Sequence, residues 1–174
     1  MHFVNLRSGL LPVRMERKMT DTKKLFEKQV QQLFDELGNH AIGALATCYD
    51  GKPYVRSVSC VFLGDNIYFQ TDRTMEKAIH MKQTPEVSVC FQHIQIQGIC
   101  DELKHPLHEQ SKAFFRAFAD NYPNAASRYS HMDNERVYRI TPTKIETWRY
   151  IDGAPYQEIF DMESGVYQMT QYET

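Results

Sequence analysis

The chain has 174 residues, 42% of them hydrophobic and 24% charged, with a formal net charge of −2. That is enough apolar material for a packed core of ordinary domain size. The charge balance excludes a backbone-type nucleic-acid binder, which needs a basic surface, and no apolar run approaches the roughly 18 residues of a membrane span.

Residues 1–20 carry Arg7, Arg14, Arg17 and Lys18 between short apolar pieces. They lack the apolar core of a secretory signal and read as a flexible leader ahead of a single domain over 21–174. Leu25, Phe26, Val30, Leu33, Phe34 and Leu37 recur at helical spacing. They predict an amphipathic helix over 21–37, capped by Asp21 or Thr22 and stopped by Gly38. "HAIGALATCY" reads as a strand, "DGKP" as a turn, "YVRSVSCVFL" as the returning strand, and "GDN" turns the chain again into "IYFQT". Three sequential strands on short turns make an antiparallel meander.

A short helical pattern then precedes Pro85, followed by the strand-like "EVSVCFQH" and "IQIQGICDEL". Gly98 inside the latter predicts a bulge or a close backbone approach. A second amphipathic helix is expected over 107–123, with Phe114, Phe115 and Phe118 on one side, and a loop over 124–135. "RVYRITPTKIETWRY" predicts two short strands around Thr141–Pro142, and the tail from Asp152 is polar and weakly patterned. Six or seven strands joined mostly by hairpins, with three helices, make a small antiparallel barrel or sheet with helical decoration rather than a βαβ fold.

Four cysteines, Cys48, Cys60, Cys90 and Cys100, show no CxxC pair and no zinc spacing. They read as free buried thiols of a reducing cytoplasm. His105 and His108 flank Pro106 without a neighbouring carboxylate or thiol cluster, so no metal site is expected. No GxSxG, Walker A or GxGxxG motif is present.

Two cations stand out. Arg73 and Lys77 lie where the helix before Pro85 should begin, an end that already carries positive partial charge. Either both point into solvent and Glu76 partly offsets them, or an anion such as phosphate sits among them with the Thr71 and Thr74 hydroxyls. Arg56 alternates onto the same face as Val58 and Cys60, where it needs either a partner or an edge position that reaches water. His93, beside Gln92, Gln95 and Gln97, is either structural or part of a face that bonds a heterocycle.

The order of these pieces, from "GALATCYDGKPYVRSVSCVFLGDNIYFQTDRTMEKAIHMKQTPEVSVCF" to "RVYRITPTKIETWR", resembles the pyridoxamine 5′-phosphate oxidase-like FMN-binding split-barrel family over residues 40–150. The resemblance implies a mainly β fold, a six-stranded antiparallel split barrel that forms a homodimer with FMN at the subunit interface. It implies that Arg56 and Lys77 hold the FMN phosphate and that Thr74 lies in the phosphate loop. It implies that Ser57, Val58 and Ser59 run beside the isoalloxazine ring, with Gln70 and Thr71 ending the strand under it. His93 resembles a ring-contacting position, and Trp148 the aromatic residue supplied by the partner subunit.

Glu76 stands where some relatives carry a second basic residue. After Trp148 there is Arg149, but the Arg–x–His–x–Arg-like ending of true pyridoxamine phosphate oxidases is missing. The chain therefore resembles the nitroimidazole-reductase-like or general-stress-like branches. These imply a cytoplasmic oxidoreductase taking electrons from NADH or NADPH through FMN to a small acceptor, with no acid–base residue assigned. The alternative is a non-catalytic flavin or haem carrier or stress sensor on the same barrel; a deazaflavin, or no cofactor, is the third reading.

Overall fold

A computed structural model describes residues 11–172, with side chains from Thr22 onward. The chain runs α1 (Leu11–Leu37), β1 (His40–Tyr49), β2 (Lys52–Leu63), β3 (Asn66–Asp72), α2 (Glu76–Gln83), β4 (Glu86–Phe91), β5 (Ile94–Glu102), α3 (Lys112–Asn121), α4 (Pro123–Tyr129), β6 (Glu135–Ile151), β7 (Ala154–Asp161) and β8 (Val166–Gln171). The strands form one antiparallel sheet in the order β3-β2-β1-β4-β5-β6-β7-β8, and β3 also pairs with β6. That pairing closes β1–β6 into the expected six-stranded barrel and leaves β7 and β8 as an added hairpin.

Local chemistry explains the closure. Asp50 and Gly51 both take positive φ, 50° and 70°, which sets a two-residue turn whose twist suits the β1–β2 hairpin. Inward positions alternate along each strand, placing Leu45, Val58, Cys60, Ile67, Phe69, Val89, Ile96 and Ile140 in one core. Val30, Leu33 and Phe34 of α1 complete that core at one mouth of the barrel, where the Phe34 and Phe62 rings meet edge to face at 6.1 Å. Ala78 and Met81 of α2 enter the same core beside β1 and β5. Outside the barrel, Phe114 and Phe118 of α3 pack with Val61 and Val137.

Several elements differ from the sequence reading. Helix α1 begins at Leu11, so residues 11–20 of the expected leader are helical; residues 1–10 lie outside the described residues. The helix expected over 107–123 is a 3-10 turn, Glu109–Ser111, followed by α3, and the loop expected after it contains α4, started by Pro123. Proline is at home there because the first helical N–H has no partner within the helix. The two short strands expected around Thr141–Pro142 are one strand of 17 residues. Pro142 is tolerated because it faces Gly98 where the β5–β6 register shifts, so no ladder donor is missed. That shift is the bulge expected from Gly98, where an added Cβ would stand 2.5 Å from the Thr141 carbonyl oxygen.

The weakly patterned tail forms the β7–β8 hairpin, which brings the observed strand count to eight. Its polar sequence hides a buried carboxylate: Glu158, 2% exposed, accepts from Arg149 Nε at 2.9 Å and from the Tyr167 hydroxyl at 2.7 Å. Arg149 Nη2 reaches Glu36 of α1 at 3.1 Å, so this arginine ties the hairpin to the first helix.

All four cysteines are free, as expected, but only Cys60 and Cys100 are buried; Cys48 alternates outward on β1 and is exposed. Burial pushes the Cys60 and Cys100 thiols up to about 12, which leaves them unreactive at neutral pH. Among the described residues no helix is long and apolar enough to cross a membrane, and no group of His, Cys, Asp and Glu has metal-binding geometry.

Candidate functional site

The barrel is split along one seam. β2 pairs with β1 from Lys52 to Val61, but with β3 only through Val61, Phe62 and Leu63. β3 continues to Asp72 as a partner of β6 instead. Residues 52–60 of β2 are therefore paired on one side, and half of their backbone groups have no neighbouring strand. Above that stretch the Cys60 carbonyl, which belongs to the β1 ladder, also accepts from the Tyr122 hydroxyl at 3.2 Å where α3 ends.

Arg56 stands beside this seam, paired in register with Leu45. Its protein hydrogen bonds all leave from Nη1: to Thr47 Oγ1 at 2.7 Å and, longer, to the Tyr54 and Leu45 carbonyls at 3.3 and 3.4 Å. Among the described residues, Nε and Nη2 have no hydrogen-bond acceptor. Thr47 is buried, and its hydroxyl also meets His80 Nδ1 at 3.1 Å. The His80 ring, 2% exposed, lies against Tyr49 at 4.8 Å and Tyr54 at 4.5 Å.

Lys77 enters from the first turn of α2, a helix with no side-chain N-cap. Its Nζ donates to Thr71 Oγ1 at 2.9 Å. Burial, and next the charge of Arg56, lower its pKa, against the pull of Glu135 and Asp72. Burial likewise lowers that of Arg56, against Glu76. Among the described residues neither cation forms an ion pair, although seven pairs are found elsewhere. Two half-buried cations that repel each other, with carboxylates nearby but none in ion-pair contact, leave room for further negative charge.

The remaining predicted residues divide. Gln70 and Thr71 close the far side of the seam. Gln70 Oε1 accepts from Ser130 at 2.7 Å, and its buried Nε2 meets no acceptor at full hydrogen-bond geometry. Val58 points into the core, while Ser57 is exposed and Ser59 half-buried. Thr74 is already engaged, because its backbone N–H and its hydroxyl both donate to one Asp72 oxygen at 2.7 Å. Part of the anion implied by the cations near this helix start is thus Asp72 itself. Arg73 leaves the group altogether, pairing with Glu102 at 3.1 Å.

His93 is exposed in the β4–β5 turn. Since Cys90 pairs with Ala44, that turn lies at the opposite end of β1 from Thr47. Trp148 is on the β6 extension, edge to face with Tyr172 at 5.7 Å. The chain does not bring either one to Arg56 and Lys77.

Sequence reasoning missed Thr47, His80 and Glu135. Glu135 opens β6 opposite Asp72, is 5% exposed, and has its carboxyl pushed up to about 7, first by burial. The alternation of β1 marked Thr47 as inward; nothing local marked the other two.

A family model described as pyridoxamine 5′-phosphate oxidase matches residues 26–149, more than half of the chain. General stress protein 26 of Bacillus subtilis (strain 168) is 26% identical over 119 residues, covering 68% of this chain and 71% of that protein. A pyridoxamine 5′-phosphate oxidase-related, FMN-binding protein from Nostoc punctiforme PCC 73102 superposes with a TM-score of 0.56 at 16% identity, over 76% of this chain and 87% of that one. A haem-binding protein from Mycobacterium smegmatis superposes at 0.54 with 16% identity, over 78% of this chain and 54% of that one. The two structural likenesses concern the fold alone.

Proposed function

The chain belongs to the pyridoxamine 5′-phosphate oxidase family, and on that premise we propose that it is an FMN-binding oxidoreductase. Its electrons come from a reduced nicotinamide and go to a small-molecule acceptor. The observation that carries the reading is the pair Arg56 and Lys77, half-buried at the seam with no carboxylate in ion-pair contact among the described residues. The donor set fits a phosphate monoester: a guanidinium with two nitrogens unspent, an ammonium, and the hydroxyl of Thr71. The backbone groups of Ser57 and Ser59 that face away from β1 supply neutral hydrogen-bonding groups for a heterocycle edge along the same seam.

When bound, FMN supplies the redox chemistry itself. Arg56, Lys77 and Thr71 would hold its phosphate, and the backbone N–H groups of Ser57 and Ser59 would stabilise negative charge at the ring edge.

The site is completed by a second copy. The outward positions of β1 and β2, namely Ile42, Ala44, Ala46, Val55, Ser57 and Ser59, carry no charge, and Ile42 and Val55 are each 67% exposed. A large uncharged sheet face of this kind fits a homodimer interface, the assembly in which Trp148 would be supplied to the partner's site.

The test is the visible spectrum of purified protein after incubation with FMN and removal of the excess. Bound flavin absorption that bleaches with NADH or NADPH is expected. A colourless protein overturns the reading, a Soret band replaces FMN by haem, and a bound flavin that neither nicotinamide reduces makes the protein a carrier or sensor.

A further inference from the structure

Arg56 is held by one corner. A guanidinium only donates, so Thr47 Oγ1 must accept from Nη1 across their 2.7 Å contact. The single proton of the Thr47 hydroxyl is then free to donate to His80 Nδ1 at 3.1 Å. Donation in that sense goes with the tautomer whose ring proton is on Nε2, whereas the second lone pair of the hydroxyl would accept from a protonated Nδ1, and nitrogen NMR tells the two apart. The ring is 2% exposed and packed against Tyr49 and Tyr54, so it is held in place as a partner of the hydroxyl. His80 also sits one turn after Lys77 on α2. One short helix therefore carries one cation of the site and fixes the other through a single hydroxyl.

We propose that His80 is the positioning residue of the phosphate grip: through the Thr47 hydroxyl it fixes the Arg56 guanidinium so that Nε and Nη2 stay free for a phosphate oxygen. The inference rests on the flavin reading above and adds specificity to it. The His80–Thr47–Arg56 chain selects a flavin that carries a terminal phosphate over one that does not. The Tyr–His–Tyr packing alone explains the burial of His80 but not the orientation of the hydroxyl, so the two roles separate by substitution. His80→Phe keeps a flat ring between the tyrosines and loses the acceptor. Thr47→Val keeps the shape of the threonine and loses the relay, and Thr47→Ser keeps the relay.

The full-length chain and these variants are titrated with FMN and with riboflavin, following quenching of flavin fluorescence. His80→Phe and Thr47→Val are expected to weaken FMN about tenfold, the order for losing one hydrogen bond that orients a charged group, while riboflavin affinity holds. Thr47→Ser retains the wild-type FMN affinity. Nitrogen NMR of histidine-labelled protein shows the His80 Nδ1 resonance as an unprotonated ring nitrogen. An FMN-to-riboflavin ratio unchanged in Thr47→Val, which tests the relay even if His80→Phe does not fold, overturns the inference alone. So does a protonated Nδ1 in the wild type. A wild type that takes up no FMN overturns the flavin reading and this inference with it.

Discussion

Glu135 offers the sharpest test of the electrostatics at the seam. It lies opposite Asp72 in the sheet, nearly out of solvent, with Lys77 attracting its charged form and burial opposing it. Burial wins, and the carboxyl rises from 4.5 to about 7; the charge of Asp72 pushes the same way, the Gln70 amide and Lys77 the other. The sign follows from linkage. A carboxyl whose folded pKa is raised holds its proton more tightly when folded, so its contribution to stability is full below 4.5 and is lost as pH rises through about 7. At ~1.4 kcal/mol per pH unit the loss has an upper limit of about 3 kcal/mol.

Glu135→Gln removes the ionisation while keeping the shape and an acceptor for the Gln70 amide. Urea unfolding of both proteins at pH 4.5, 6, 7 and 8 measures the difference. The variant should gain on the wild type by about 1–3 kcal/mol across that range, with nearly all of the change below pH 8. A stability difference that is the same at every pH would show that the carboxyl is paired and ordinary. The reasoning about a charge-starved seam would then fail at its most buried member.

Three further outcomes are expected. Arg56→Ala and Lys77→Ala should each weaken FMN by about 10- to 100-fold, the range for one charge-assisted hydrogen bond, with the double substitution nearly abolishing uptake; unchanged affinity in isothermal titration refutes the phosphate assignment. Gly98→Ala should cost about 2 kcal/mol in urea unfolding, because its Cβ would meet the Thr141 backbone oxygen at 2.5 Å and neither strand can move without losing the bulge. Ile42→Glu should yield a monomer in sedimentation velocity at concentrations where the wild type is a dimer, and a wild-type monomer refutes the interface.

Much of the barrel was legible because its strands alternate and are joined by turns with strong local chemistry, as at Asp50–Gly51. What was illegible depended on distant partners. Nothing local in "RVYRITPTKIETWRY" says that Pro142 will meet Gly98 at a bulge, so a continuous strand read as two. Nothing in the polar tail shows that Glu158 will be buried, because the arginine and tyrosine that satisfy it lie nine residues away on either side. At the seam, Arg56 and Lys77 announced themselves by being cations in the wrong local setting. Thr47, His80 and Glu135 have ordinary local settings, and acquire their roles only when β1, α2 and β6 converge.

This asymmetry has a physical origin. Binding a phosphate requires net positive charge held away from carboxylates, and such charge destabilises the ligand-free chain, so it conflicts with the local pattern and can be seen there. Lining a flat heterocycle requires backbone groups left unpaired and small side chains, which conflict with nothing in a strand sequence. The conflict appears only in the pairing. β2 stops pairing with β3 below Val61, and β3 turns to β6, which leaves a row of β2 backbone groups facing an open seam. An unpaired row of this kind is costly unless something covers it. The members of that row nearest Arg56 are the backbone groups of Ser57 and Ser59, and these are the ones the proposed flavin would cover.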